Sequence, residues 1–237
     1  MTIMSDNARD IISGKLSGNG HSNGNGHSNG NGHRYVEPPT VQPLTEADYA
    51  ERKAVIEEAV REILINVGED PGRDGLIRTP HRVAKAFFEL LEGYTQNAEQ
   101  IINGAMFDVE YGDGEMVVVA NIEYTSLCEH HMLPFVGKAH VAYIPRDRVV
   151  GLSKIPRIVD MFARRLQVQE RLTNEVADTL ARHLDPLGVM VVFEGQHSCA
   201  ALRGVKKHGV NMLTTAARGA FKDDRSLRDE FYRLIGR

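Results

Sequence analysis

Two cysteines and a few histidines supply most of the chemistry open to this sequence. Cys128 and His131 stand three apart in Ser126-Leu127-Cys128-Glu129-His130-His131, and Cys199 lies far downstream in Gln196-His197-Ser198-Cys199. Residues three apart face the same way on a turn or helix, but not on a strand. Cys128 and His131 can therefore grip one metal ion from a turn, with His130 pointing elsewhere. Two thiolates and an imidazole suit tetrahedral zinc, and three protein ligands leave the fourth position for water. A structural zinc normally takes four protein ligands. With only two cysteines in the chain, an open site is the expectation, although another histidine can close it. Two plain core cysteines are the alternative.

The same ligand set activates water in zinc enzymes that attack a nucleobase carbon. Such chemistry needs a neighbouring group to move protons, and His197, His130 and Glu129 are the candidates. A histidine beside a ligand is often only its orienter. We assign proton roles to His197 and His130 and read Glu129 as a solvated carboxylate. His197 shares a face with Cys199 if the strand before it continues.

Several basic groups are spaced to meet an anion. Ser153-Lys154 precedes a predicted helix and Arg157 lies in its first turn. Cations are not what a helix start favours, and a bound phosphate would resolve the conflict. Arg203 follows Cys199 by four residues, with Lys206 and Lys207 beyond; Arg82 and Lys85 share a face of an earlier helix. Gln169-Glu170 falls between two predicted helices. An amide beside a carboxylate can read the donor edge of a guanine, or be two exposed linker residues.

The elements that position these groups follow from periodicity. Thr45 and Asp48 form a capping-box variant ahead of a helix whose apolar face is Val55, Ile56, Ala59, Val60, Ile63, Leu64 and Val67, stopped by Gly68. A second helix opens at Thr79-Pro80 with Val83, Ala84, Phe87, Leu90 and Leu91 as its face, closed by Gly93. Glu115 to Tyr124, Val136 to Tyr143 and Val189 to Glu194 are short and β-branched, and read as strands. Ile155, Ile158, Val159 and Phe162 mark a further helix. Leu172, Val176, Leu180 and Leu184 mark the next, ended by Asp185-Pro186. A last helix after Ser226 presents Leu227, Phe231 and Leu234. The sum is an α+β chain with helices leading and mostly antiparallel strands, lacking a dinucleotide fingerprint.

Composition narrows the class. The chain has 237 residues, 42% hydrophobic and 25% charged, with a formal net charge of -4. This is ordinary globular composition for one or two domains and argues against a nucleic-acid binder. No apolar run approaches the ~20 residues of a membrane span. Two cysteines and no export signal in Met1 to Ile12 predict a reducing cytoplasm. His21 to His33 repeats the hexad His-Ser-Asn-Gly-Asn-Gly twice before a closing histidine. Such composition cannot offset backbone ordering, so residues 1–44 are predicted to form a disordered arm.

From about Thr45 to its end, the chain resembles GTP cyclohydrolase I of the tunnelling-fold superfamily. The residues that carry the resemblance are Arg-Thr-Pro-His-Arg-Val-Ala-Lys at 78–85, Cys-Glu-His-His at 128–131 and Gly-Leu-Ser-Lys-Ile-Pro-Arg-Ile-Val at 151–159. Val-Gln-Glu-Arg-Leu-Thr at 168–173 and His197-x-Cys199 with Arg203-Gly204-Val205 complete the set, all in family order. The resemblance implies zinc held by Cys128, His131 and Cys199, and attack of the activated water on carbon 8 of GTP. It implies His197 as proton donor and acceptor in ring opening and His130 near the ribose. Gln169 and Glu170 would hold the base, and Ser153, Lys154, Arg157, Arg203, Arg82 and Lys85 the triphosphate. Formate and 7,8-dihydroneopterin triphosphate, the entry to folate and other pterins, would be the products.

The same resemblance implies a helical region over 45–108 and a catalytic tunnelling-fold domain over 109–237, with an antiparallel sheet and two long helices. Ten copies would assemble as two stacked pentamers, each closing its sheets into a barrel, with active sites at subunit interfaces. The sequence departs from the family pattern in Lys206 to Leu213, and at Ser198 and Ala200. Two other functions remain as alternatives: a related reductase or synthase of the superfamily, and a zinc-stabilised scaffold. A scaffold needs none of His197, Glu170 and the basic residues together.

Overall fold

Thr45 caps the first helix, α1 (Glu46–Asn66), as its spacing to Asp48 predicts. The Thr45 hydroxyl accepts from the Asp48 amide at 3.2 Å, and the Asp48 carboxylate accepts from the Thr45 amide at 3.1 Å. The computed structural model describes residues 45–108 and 115–237. The expected arm over 1–44 lies outside the described residues.

Helix α2 (Thr79–Leu90) begins one residue earlier than the proline signal suggests, with Thr79 inside the helix and Arg78 at the cap. It packs along α1, where Tyr49 and Phe88 meet with ring centroids 4.4 Å apart. The broad apolar face expected of α1 is not covered among the described residues. Only Val60 is buried, whereas Val55 and Ile63 are 52% and 60% exposed. A single neighbouring helix hides only a narrow stripe.

A 3-10 turn (Glu92–Thr95) and a short helix, α3 (Ala98–Ile102), lead into strand β1 (Met106–Asp108). Strands β2 (Val117–Cys128) and β3 (Pro134–Ile144) follow as one hairpin. β2 starts two residues later than sequence patterning indicates, and both strands run further toward the turn between them, where the residues do not alternate in polarity. Strand β4 (Arg148–Val150) pairs with β1. Then come α4 (Lys154–Ala163), β5 (Leu166–Gln167), α5 (Gln169–Leu184) and β6 (Gly188–His197). The chain closes with α6 (Ser198–Ala201), β7 (Met212–Gly219), α7 (Ala220–Asp223) and α8 (Arg225–Leu234).

The main sheet has the order β5-β2-β3-β6-β7. Neighbours are antiparallel except β5 against β2, which run parallel. The fold is therefore mixed α+β, as expected. Strand β7 was not anticipated: Leu213-Thr214-Thr215-Ala216-Ala217 carries too little apolar alternation to mark it.

Alternation along the central strands separates two cores. Val189, Val191 and Phe193 of β6 face α4 and α5, packing with Ile155, Val159, Leu172 and Val176. Met190 and Val192 turn to the other face, against Phe221 of α7 and Phe231 of α8. Each fully buried aliphatic side chain in these layers contributes about 1.5–3 kcal/mol relative to exposure. In α8, Leu227, Tyr232 and Ile235 pack beside Phe231, while Leu234, expected on that face, is 59% exposed. The helix starts earlier than predicted, capped by Asp224, and Leu234 is its last residue.

The second face also buries a polar group. His140 accepts from the Asn121 amide at its Nδ1 (3.4 Å) and donates from Nε2 to Glu194 (3.0 Å). Asn211 and the terminal Arg237 donate to the same carboxylate. Asn121 sits at a β-bulge with φ 59°, which turns its amide toward the histidine. No helix among the described residues is long and apolar enough to cross a membrane.

Candidate metal centre

Three chain segments end at one place. Strand β2 finishes at Cys128 and its paired strand β3 starts at Pro134; β6 finishes at His197, directly opposite Phe135. The turn between β2 and β3 is held by the Cys128 amide donating to Leu133 O (2.9 Å) and the Met132 amide donating to Cys128 O (2.7 Å). Cys128 and His131 thus come from a turn, as their spacing predicts. On the β6 side the chain does not continue extended. It turns into α6, so Cys199 is helical and does not share a strand face with His197.

This bend delivers the third ligand. One donor atom each from Cys128, His131 and Cys199 lies within 4.8 Å of the others. Cys128 is buried, Cys199 half-buried and His131 exposed. Burial, and then the nearby Cys128 thiol, push the Cys199 thiol above its ordinary range. A bound divalent cation would reverse that tendency, since it stabilises thiolates and joins groups that otherwise repel. The donor set and its clustering fit a metal ion, and two sulfurs with one imidazole suit zinc best.

The surrounding groups divide into those the fold brings here and those it does not. His197 lies flat on Phe135, ring centroids 4.5 Å apart and 6° from parallel. Burial pushes its imidazole below the ordinary value, and the Glu170 carboxylate pulls the other way. His197 Nε2 is 2.9 Å from Gln169 Oε1. His130 is exposed, with Nδ1 3.9 Å from Cys128 Sγ. Arg203 donates to His131 Nε2 at 2.6 Å, which places a guanidinium at the rim.

Gln169 and Glu170 are not linker residues. They open α5, Gln169 fully buried and Glu170 exposed. Ser153 stands at the N-cap position of α4 with no side-chain capping hydrogen bond, and Lys154 and Arg157 sit in the first turn, which carries no acidic residue. Lys85 pairs with Glu89 on its own helix, at 3.7 Å. Among the described residues, no hydrogen bond or ion pair joins Arg82, Lys85, Ser153, Lys154 or Arg157 to the cysteine–histidine group.

Glu129 is exposed, in keeping with a solvated carboxylate, but it is not unpartnered. It pairs with Arg171 of α5, whose hydrogen bond holds the carboxyl below its usual range. Arg171 also donates to Gln167 Oε1 (3.0 Å), and Gln167 donates to Glu175 (2.7 Å). The turn between the two metal donors is therefore tied to the helix behind it. Nothing in spacing alone marks Arg171 or Phe135, since both contacts join residues distant in the chain.

Residues 56–236 match the family model described as GTP cyclohydrolase I. The chain belongs to the GTP cyclohydrolase I family. It is similar to GTP cyclohydrolase 1 1 of Pseudomonas aeruginosa, 55% identical over 177 residues, covering 75% of this chain and 94% of that protein. GTP cyclohydrolase 1 of Campylobacter jejuni is 53% identical over 179 residues, covering 76% and 93%. That of Leptospira biflexa is 52% identical over 180 residues, covering 76% and 97%. An archaeosine synthase QueF-like structure aligns with 46% of this chain at a TM-score of 0.39 and 19% identity, too slight a likeness to carry an argument. Membership makes the chain an enzyme of the GTP cyclohydrolase I family, a hydrolase of folate and pterin metabolism. The Cys128–His131–Cys199 group lies within the matched span.

Proposed function

We propose that this chain converts GTP to formate and 7,8-dihydroneopterin triphosphate, with zinc held by Cys128, His131 and Cys199. The observation that carries this is the convergence of those three donor atoms within 4.8 Å, beside His197 on its Phe135 platform. Zinc bound there supplies the Lewis acidity that makes water nucleophilic enough to attack carbon 8 of the guanine.

The side chains do the rest. His197 moves the proton to the ring nitrogen released as the carbon 8 bond opens, and takes one back as formate leaves. Two thiolates donate more charge than imidazoles would, which makes such a partner more necessary. His130, exposed at the turn, serves the later proton transfers at the ribose. Glu170 offers an acceptor to the ring N–H and amino group of guanine, with Gln169 beside it. Ser153, Lys154 and Arg157 at the start of α4, together with Arg203, Arg82 and Lys85, surround the triphosphate, where helix amides favour an anion.

We further propose a tunnelling-fold subunit, helical over 45–108 and catalytic over 109–237, that works in the cytoplasm as a homodecamer with sites at subunit interfaces. Two features support this. Among the described residues no hydrogen bond or ion pair joins Arg82, Lys85 or Arg157 to the metal donors, and Leu202, three residues after Cys199, is 68% exposed. Incubation of the zinc-loaded protein with GTP tests the activity. A fluorescent pterin should accumulate after oxidation of the product, and a chelator should abolish it. No pterin from the loaded protein would refute the proposal.

A further inference from the structure

We propose that Gln169 is a positioning residue that fixes the tautomer of His197: it keeps the hydrogen of the neutral imidazole on Nε2 and so makes Nδ1 the nitrogen that exchanges protons with substrate. The catalytic meaning rests on the proposed activity; the tautomer itself does not.

The hydrogen bonds around Gln169 have one consistent direction. Its side chain is fully buried at the first turn of α5. The amide nitrogen lies 3.1 Å from Phe193 O and 2.9 Å from Met212 O. Backbone carbonyls only accept, so this end must be the NH2 group. Turning the amide over would set its oxygen against two carbonyl oxygens. Each of these buried groups would then be left without a partner, which a folded interior strongly disfavours.

Two threonines agree with this assignment. The Thr173 hydroxyl donates to Gln169 O at 2.7 Å and stands 2.6 Å from the Thr214 hydroxyl. Thr173 has then used its single hydrogen, so Thr214 donates to Thr173. Thr214 Oγ1 remains able to accept from the Gln169 amide nitrogen at 3.2 Å.

What faces His197 is therefore Gln169 Oε1, an acceptor only, at 2.9 Å from Nε2. Nε2 must carry a hydrogen. A neutral imidazole has one N–H, so Nδ1 holds the free lone pair. Phe135 fixes the ring plane by stacking. Gly195 keeps the approach open: a Cβ there would lie 2.5 Å from both Gln169 Oε1 and the Tyr124 hydroxyl. A glycine on β6, two residues before His197, is thus part of the same device.

The test is nitrogen NMR of the full-length, zinc-loaded protein labelled with 15N-histidine, with the His197 signals assigned by their loss in His197→Gln. The expected spectrum shows His197 with a protonated Nε2 and a bare Nδ1. A protonated Nδ1 would overturn the proposal, and this result needs no other variant to fold. In Gln169→Met, both tautomers should appear, and kcat should fall by about 10- to 100-fold. Weaker GTP binding with the tautomer and kcat intact would also overturn it, making Gln169 a holder of the base. If the expected tautomer appears and the wild type turns over no GTP, the hydrogen-bond assignment stands and the proposed activity falls.

Discussion

Phe135 and His197 are directly opposed across the β3–β6 ladder, and their rings stack at 4.5 Å and 6°. The pair joins the hydrophobic core to the proposed chemistry, because Phe135 is fully buried and His197 is the last residue of β6. Phe135→Leu removes the flat platform and keeps an apolar side chain. It should lower stability by roughly 0.5–3 kcal/mol in chemical denaturation. It should reduce kcat while leaving bound zinc per subunit unchanged by metal analysis. Loss of zinc in step with activity would mean that Phe135 supports the ligands rather than His197.

Glu194 predicts a pH dependence. Burial alone would raise its carboxyl, but hydrogen bonds from His140 and Asn211 and the charge of Arg237 hold it below the ordinary value of 4.5. The folded protein therefore binds that proton less readily than the unfolded chain. The stabilisation is present above pH 4.5 and lost as pH falls through the folded value. Glu194→Gln should be less stable than wild type by about 1–2 kcal/mol at pH 7. The difference should shrink on acidification below pH 4.5, as read by denaturant titration at both pH values. An equal difference at pH 7 and pH 4 would show that the charge of Glu194 contributes nothing.

Arg171 predicts a metal-affinity effect at a distance. Its pairing with Glu129 ties the Cys128–His131 turn to α5, where Gln167 and Glu175 continue the network. Removing a partner that orients a ligand typically lowers metal affinity by about 10- to 100-fold. Arg171→Ala should show that loss in competition with a zinc-binding dye, with secondary structure retained by circular dichroism. Because the pair is partly exposed, its direct contribution to folding stability should stay within about 1 kcal/mol. Unchanged zinc affinity would reduce the pair to a surface contact.

The metal donors and the outline of the fold were legible because they rest on local rules. The Thr45–Asp48 box, the Asp185-Pro186 stop and the Cys128–His131 turn each depend on residues within a few positions of one another. Less legible was whatever depends on pairing. The helical residues of α1 were evident, but which of its apolar positions lie buried depends on what covers them. Strand β7 has a weak apolar signal and exists through its ladder with β6. The burial of Gln169 and the Glu129–Arg171 pair arise from residues 24 to 45 apart in the chain. No periodicity reports such contacts. The atypical stretch from Lys206 leads into β7, whose Thr214 helps to orient Gln169.

The central claim is that Cys128, His131 and Cys199 direct hydrolysis at one carbon of GTP with His197 moving the proton. The most direct measurement follows GTP labelled with 14C at carbon 8 through the zinc-loaded enzyme. The label should leave as formate, one per pterin formed, and this release should vanish in Cys199→Ser and fall steeply in His197→Ala while the latter keeps its zinc. Label retained in the purine or in the pterin, or normal formate release by the Cys199→Ser protein, would contradict the account.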